Sequence, residues 1–191
     1  SKTATAPPQV YLKTEFIDGV SLAELVAHGP EQDPDVFRSI GDQLLAALEA
    51  IHPADDRINE IKAMSESTME EYRELSRLQE SARVHRDVKP GNLMLTDELR
   101  LKLLDFNIAM QAGRTVLTTT HSQGYEPPDA EARWSPSFDL FSAGVVLYEV
   151  LCGTHPFPDR VTSGVRQPVS DHRPDVSPRF EAFFDRALAA E

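Results

Sequence analysis

His85-Arg86-Asp87-Val88-Lys89-Pro90-Gly91-Asn92-Leu93-Met94-Leu95 is the stretch that decides how this chain folds. It sets an imidazole, a guanidinium, a carboxylate, an ammonium and an amide side by side, then closes them with an apolar run. Pro90-Gly91 is turn chemistry, and Leu93 to Leu95 reads as a short strand. A second apolar run, Leu101 to Leu104, reads as its partner, joined through Thr96-Asp97-Glu98, and leads directly into Asp105-Phe106-Asn107. Two carboxylates (Asp87, Asp105), an amide (Asn92) and an ammonium (Lys89) therefore lie near turns between apolar strands. Mg2+ prefers hard oxygen ligands, and one or two carboxylates plus substrate phosphates usually suffice. A lysine can neutralise charge on a transferring phosphoryl group, and a separate carboxylate can orient and deprotonate an attacking hydroxyl. Turn preference explains each of these residues singly but not their joint spacing.

Upstream, the first nine residues read as a disordered lead-in or a cut end. Val10 to Ile17 is rich in Val, Tyr, Phe and Ile and predicts a short strand. Asp18-Gly19 is a turn signal. Ser21 with Glu24 is a capping box that opens a short helix, closed by Gly29-Pro30. Val36, Ile40, Leu44, Leu45, Leu48 and Ile51 recur at helical spacing and predict a helix from Asp35 to Ile51, ended by Pro53. From 54 to 83 the chain is charged, with one apolar stripe through Met69, Tyr72, Leu75 and Leu78. Thr68 with Glu71 offers a second capping box there, so this part reads as a surface helix packed along one edge, flanked by a looser piece around Ile58 and Ile61.

Downstream, Gln111 to Ser137 is polar and irregular. Phe138 to Leu151 predicts a helix apolar on most faces, hence buried. A Pro-rich stretch follows, and Phe180 to Ala190 begins an amphipathic helix. Cys152, the sole cysteine, lies at the end of the apolar helix and reads as a buried, inert thiol. One cysteine excludes a disulfide framework and a cysteine-rich zinc site. The histidines lack metal-ligand spacing, His85 reads as a core histidine, and Tyr125 and Trp134 read as packing residues.

Basic residues number 19 and acidic ones 31, a net charge of −12 at pH 7. That balance argues against nucleic acid or an anionic membrane surface as a direct partner. No run approaches the length of a membrane span, and Ser1 to Pro8 has no apolar signal core. The expectation is a cytoplasmic location.

The central cluster resembles the catalytic loop of eukaryotic-like (Hanks-type) Ser/Thr protein kinases, and Asp105-Phe106-Asn107 resembles their metal-binding triplet. Other stretches resemble the same family in the same order. Tyr11 to Gly19 resembles the hinge that grips adenine, and Gly124-Tyr125-Glu126-Pro127-Pro128-Asp129 stands where the segment ending in Ala-Pro-Glu belongs. Asp139 to Leu151 resembles the buried helix after it, and Gly153-Thr154-His155-Pro156-Phe157 the loop that follows. The resemblance implies an α+β, mostly helical large lobe carrying a hinge strand and small β-hairpins. Its cofactors would be ATP and Mg2+, and its partner a protein substrate.

Residue by residue, the resemblance makes Asp87 the catalytic base and Lys89 a contact to the γ-phosphate, which favours Ser/Thr over Tyr as acceptor. Asn92 and Asp105 would hold Mg2+. Thr14 would be the gatekeeper behind adenine, Glu15 and Ile17 would offer backbone hydrogen bonds, and Met94 would floor the ring. Ser122 takes the position that bonds the catalytic loop, and Asp139 would brace that loop from below. Arg86 implies control by a phosphate on the activation segment, with Thr118, Thr119 and Thr120 as candidate sites. Asp129 replaces the acidic residue of Ala-Pro-Glu. Asn107 replaces a glycine, a change that backbone tolerance of positive φ permits.

A Gly-rich loop, a Val-Ala-x-Lys strand and the helix Glu that pairs with that Lys are missing from the sequence. The expectation is a partial kinase domain over 10–191 with an insert at about 54–83, whose small N-terminal lobe belongs to the same parent chain. Without that lobe's grip on the phosphates, the fragment alone is expected to be inactive. Asp-Phe-Asn-Ile-Ala, Pro-Pro-Asp and the long insert are similar to large bacterial kinases of the PglW type, from phage-defence systems. Two rival readings are a small-molecule phosphotransferase, which usually lacks Lys89 and the Gly124–Asp129 segment, and a pseudokinase-like scaffold docking through the insert.

Overall fold

A computed structural model describes residues 13–52, 60–64, 68–81, 83–105, 110–111, 124–128 and 136–189. In chain order its elements are β1 (Val20–Ser21), α1 (Leu22–Ala27), α2 (Pro34–Ile51), α3 (Met69–Ser81), β2 (Arg83–Val84), β3 (Leu93–Leu95), β4 (Leu101–Leu103), β5 (Met110–Gln111), α4 (Pro136–Cys152) and α5 (Arg179–Ala187). Single turns of 3-10 helix cover Pro90–Asn92, Pro158–Arg160 and Val169–Asp171.

The molecule is organised around α4. From Phe138 to Cys152 every residue except Leu140 is buried, as an all-round apolar helix requires. The α2 stripe Ile40, Leu44 and Leu48 packs into the same core, each fully buried side chain contributing about 1.5–3 kcal/mol. Helix α5 also comes close to α4: a Cβ on Gly144 would stand 3.0 Å from Leu188 Cδ2 and 3.2 Å from Ala187 Cβ. Any larger residue there would push α5 outward.

Caps set the helix starts. Ser21 Oγ accepts the Glu24 N–H at 3.2 Å while Glu24 Oε2 accepts the Ser21 N–H at 2.9 Å, the reciprocal box expected of that pair. Thr68 and Glu71 form the same box ahead of α3, at 3.3 and 2.7 Å. Asp33 caps α2 by accepting the Asp35 N–H at 2.8 Å, with Pro34 as first helical residue.

The strands form two small antiparallel sheets, one ordered β1-β3-β4 and one pairing β2 with β5. In the first, Leu93 faces Leu103, Met94 faces Lys102, and Leu95 faces both Leu101 and Val20. Gln43 on α2 extends this ladder: its Oε1 accepts the Leu101 N–H at 3.0 Å and its Nε2 donates to the Leu99 carbonyl at 2.8 Å.

Several expectations are corrected. Residues 13–18 are irregular, not strand, and the strand that pairs with β3 lies at Val20–Ser21, where the sequence signals a turn and a cap. An external ladder partner decides that pairing, and local composition does not carry it. In α3, Met69 and Tyr72 of the apolar stripe are exposed. Among the piece flanking it, Ile61 is the buried residue. Leu45, in the α2 stripe by spacing, is also exposed. Tyr11, Leu12, Ile58, Phe106, Asn107, Thr118, Thr119, Thr120, Ser122, Asp129 and Trp134 lie outside the described residues. Among the described residues no helix is long and apolar enough to cross a membrane.

Candidate active site

β2 enters the core at Val84 and delivers His85, Arg86 and Asp87, all buried, beneath the β3–β4 hairpin. Arg86 takes a left-handed backbone, φ 72°, a conformation that costs a non-glycine residue and persists only where its surroundings impose it. The imposing group is Asp139 in the first turn of α4. Its Oδ2 accepts the His85 N–H at 2.6 Å and its Oδ1 the Arg86 N–H at 2.8 Å. His52, immediately after α2, places Nε2 2.9 Å from the same Oδ2. The side chain of Asp139 is wholly buried, so these partners are what make its charge tolerable there. Burial lowers the pKa of the Arg86 guanidinium, and Asp139 acts against that.

The polar groups of the loop then bond one another. Asp87 Oδ2 receives Lys89 Nζ at 2.8 Å and Asn92 Nδ2 at 2.7 Å, and Asn92 Nδ2 also donates to the Asp87 carbonyl at 2.8 Å. The 3-10 turn Pro90–Asn92 folds Asn92 back over Asp87 to allow this. The Asn92 carbonyl in turn accepts the Leu104 N–H at 2.8 Å, while His85 Nε2 lies 2.8 Å from the Leu104 carbonyl. Asp105, next in sequence, is exposed with φ 63°. Hydrogen bonds thus join Asp87 to Lys89 and Asn92, and Asn92 to Leu104, the residue before Asp105. An aspartate carboxylate and an asparagine amide oxygen are oxygen donors that fit Mg2+.

The residues expected on the adenine side are less gathered. Thr14 and Glu15 are exposed and Ile17 is half-buried. Met94 is half-buried, pointing away from Leu93 and Leu95, which enter the core. Glu15 lies 3.6 Å from Lys102, the residue that Met94 faces across the ladder, so the Glu15 carboxylate reaches the β3–β4 hairpin. His85 is fully buried and Cys152 nearly so, and burial pushes the Cys152 thiol up to about 11.

Sequence reasoning missed His52, for which adjacency to a helix end is the only signal. It also missed a second cluster. Tyr125 reads as a packing residue, yet its hydroxyl donates to the buried Glu149 at 2.8 Å, and Arg160 donates to that hydroxyl at 3.1 Å.

Comparison with known proteins matches residues 56–188, more than half of the chain, to the family described as "Protein kinase domain". The chain belongs to the protein kinase family. Among curated relatives, this kinase domain is 26% identical over 157 residues to the SNF1-related protein kinase catalytic subunit alpha KIN12 of Arabidopsis thaliana, covering 80% of this chain and 26% of that protein. It is 37% identical over 93 residues to the carbon catabolite-derepressing protein kinase of Candida tropicalis, covering 46% of this chain and 15% of that protein. To the serine/threonine protein kinase OSK3 of Oryza sativa subsp. indica it is 41% identical over 81 residues, covering 40% of this chain and 16% of that protein. The kinase domain therefore spans about a quarter or less of the length of these relatives.

Proposed function

We propose that this kinase domain transfers the γ-phosphate of Mg-ATP to a serine or threonine hydroxyl of a protein. The observation that carries the reading is the shared oxygen of Asp87: Lys89 and Asn92 both bond Oδ2, and the Asn92 carbonyl draws the Leu104–Asp105 backbone alongside. Asp105 and the Asn92 amide oxygen would hold Mg2+, which when bound neutralises phosphate charge.

The chain's own residues then do the following. Asp87 orients the acceptor hydroxyl and takes its proton as the oxygen attacks the γ-phosphorus. The bond from that phosphorus to the β–γ bridging oxygen breaks, and ADP leaves. Lys89 sits on the Asp87 carboxylate in the resting site and is within reach to neutralise the transferring phosphoryl group. Arg86 couples this loop to Asp139. Thr14, Glu15, Ile17 and Met94 form one wall for adenine. The opposite wall would be the small lobe of the parent chain, carrying the Gly-rich loop and the Val-Ala-x-Lys strand. Ser122 and a phosphate on Thr118, Thr119 or Thr120 would complete the arrangement, and Asp129 and Asp139 would support it. The insert at 54–83 and the Asp-Phe-Asn-Ile-Ala run support a narrower kinship with bacterial kinases of the PglW phage-defence type.

The test is phosphate transfer to a protein acceptor by the kinase that contains this domain. Asp87→Asn and Asp105→Asn should each lower kcat by about 10²–10⁴. Unchanged rates in both variants would refute the assignment.

A further inference from the structure

Helices α2, α4 and α5 enclose a cavity of about 690 Å3, and none of Asp87, Lys89, Asn92 or Asp105 lines it. Leu147 and Leu151 of α4 form its buried floor. Leu45 on α2 and Phe183 on α5 are exposed in its walls, and the rings of Phe37 and Phe180 join those walls, edge to face at 5.6 Å. Exposed apolar side chains gathered in one concavity mark a surface that something else covers.

Gly41 stands in the middle of α2 and lines the cavity. Glycine is the costliest residue but proline inside a helix, so its presence needs a reason. Packing does not give one. A Cβ at Gly41 would meet only the Leu147 methyls, at 3.7 and 4.0 Å, which is ordinary contact, whereas Gly144 on α4 is held to glycine by the close approach of Leu188 and Ala187. What Gly41 supplies is open space over Leu147, at the cost of helix stability.

The polar lining is unevenly matched. Arg173 is fully committed: Nε and Nη2 donate to Asp175 at 2.9 and 2.8 Å, and Nη1 donates to the Glu31 and Leu151 carbonyls at 2.8 and 3.0 Å. Glu31 Oε1 accepts the Asp33 N–H at 2.9 Å. Arg38, Arg179 and Asp42 remain, and among the described residues none of these three side chains has a hydrogen bond or ion pair. Arg38 follows Phe37 and Arg179 precedes Phe180, so both guanidiniums spring from the backbone beside that ring contact. In a chain with 31 acidic residues and 19 basic ones, two arginines without a carboxylate stand out.

Size narrows the occupant. A helix about 10 Å across displaces about 850 Å3 over two turns, more than the cavity holds, while about 300–1,000 Å3 is the usual range for small-molecule sites. We propose that this cavity binds a single-chain carboxylate amphiphile, its acyl chain laid over Gly41 against Leu147 and Leu151 and its carboxylate taken by Arg38 and Arg179. The site is independent of the phosphate-transfer reading.

The test is calorimetric titration of the kinase containing this domain with dodecanoate, kept below micelle formation. One molecule should bind per domain. Gly41→Leu, which places a side chain where the acyl chain lies, should weaken binding about tenfold or more, and Gly41→Ala by less. Arg38→Gln combined with Arg179→Gln should weaken it about fivefold, and Asp42→Asn should tighten it. If Gly41→Leu does not fold, Phe183→Ser on the exposed wall decides by the same loss. No binding by the wild type, the result if a protein segment already fills the cavity, overturns the proposal. So does binding that Gly41→Leu and Phe183→Ser leave unchanged, or equal affinity for the cationic dodecyltrimethylammonium.

Discussion

The carboxylate of Asp139 accepts the backbone N–H of Arg86 at 2.8 Å, although 53 residues separate the two in sequence. With the bonds to His85 and His52, this single buried side chain ties α2, α4 and the Asp87 loop together and holds Arg86 in its left-handed backbone. The placement of the Asp87 loop therefore depends on a residue that lies outside it. Replacing Asp139 by Ala should cost about 3–5 kcal/mol, because the donors it satisfies stay buried and unpaired. A fall in urea midpoint at unchanged m-value measures this; a loss below about 1 kcal/mol would contradict the brace.

Gly19 is where β1 can approach β3. A Cβ there would lie 2.3 Å from the Leu95 carbonyl oxygen and 2.9 Å from its carbon. Since backbone is what obstructs it, relief requires moving a strand, and Gly19→Ala should destabilise by about 1–3 kcal/mol. Gly91→Ala, with nothing within 4 Å of its Cβ, is the control and should stay within about 0.5 kcal/mol. Thermal or denaturant unfolding of the pair checks the contrast.

The amphipathic and capping signals were legible because they are local. Ser21, Thr68, the spacing of Ile40, Leu44 and Leu48, and the all-apolar α4 each carry their own instruction. The polar cluster from Asp87 to Asp105 was legible for a similar reason, since two short strands and two turns bring it together within one hairpin. Contacts between distant elements were not. Val20 is a strand only because Leu95 is beside it, and nothing around His52 announces Asp139. Tyr125, Glu149 and Arg160 come from three separate segments, and their pairing depends on a backbone turn that sequence does not predict. Leu45, Met69 and Tyr72 fit apolar stripes and are nonetheless exposed, since spacing defines a face without saying what covers it.

Burial raises the Glu149 carboxyl above its ordinary 4.5, against the opposing pull of Tyr125, His155 and Arg160. The native state then holds a proton that the unfolded chain has released, so stability declines as pH rises from about 4.5 through the raised value. Glu149→Gln keeps an acceptor for Tyr125 and removes that titration. The wild-type-minus-variant stability difference should fall with rising pH across this window. A flat or rising difference would contradict the burial effect.

Cys152 should be chemically silent. With its thiol buried and pushed up to about 11, almost no thiolate is present near pH 8. A disulfide reagent should modify it only as fast as the protein unfolds, and rapid stoichiometric labelling of the native protein would contradict its placement.

As proposed above, Asp105 and Asn92 share a metal–nucleotide pocket with Asp87 and Lys89. Its most direct test is paramagnetic broadening of backbone amide resonances on titration with Mn2+ and ATP together. Asn92 and Asp105 should broaden first, with Asp87 and Lys89 close behind, and Asp105→Asn should suppress the effect. Broadening centred elsewhere, or unaltered in that variant, would contradict it.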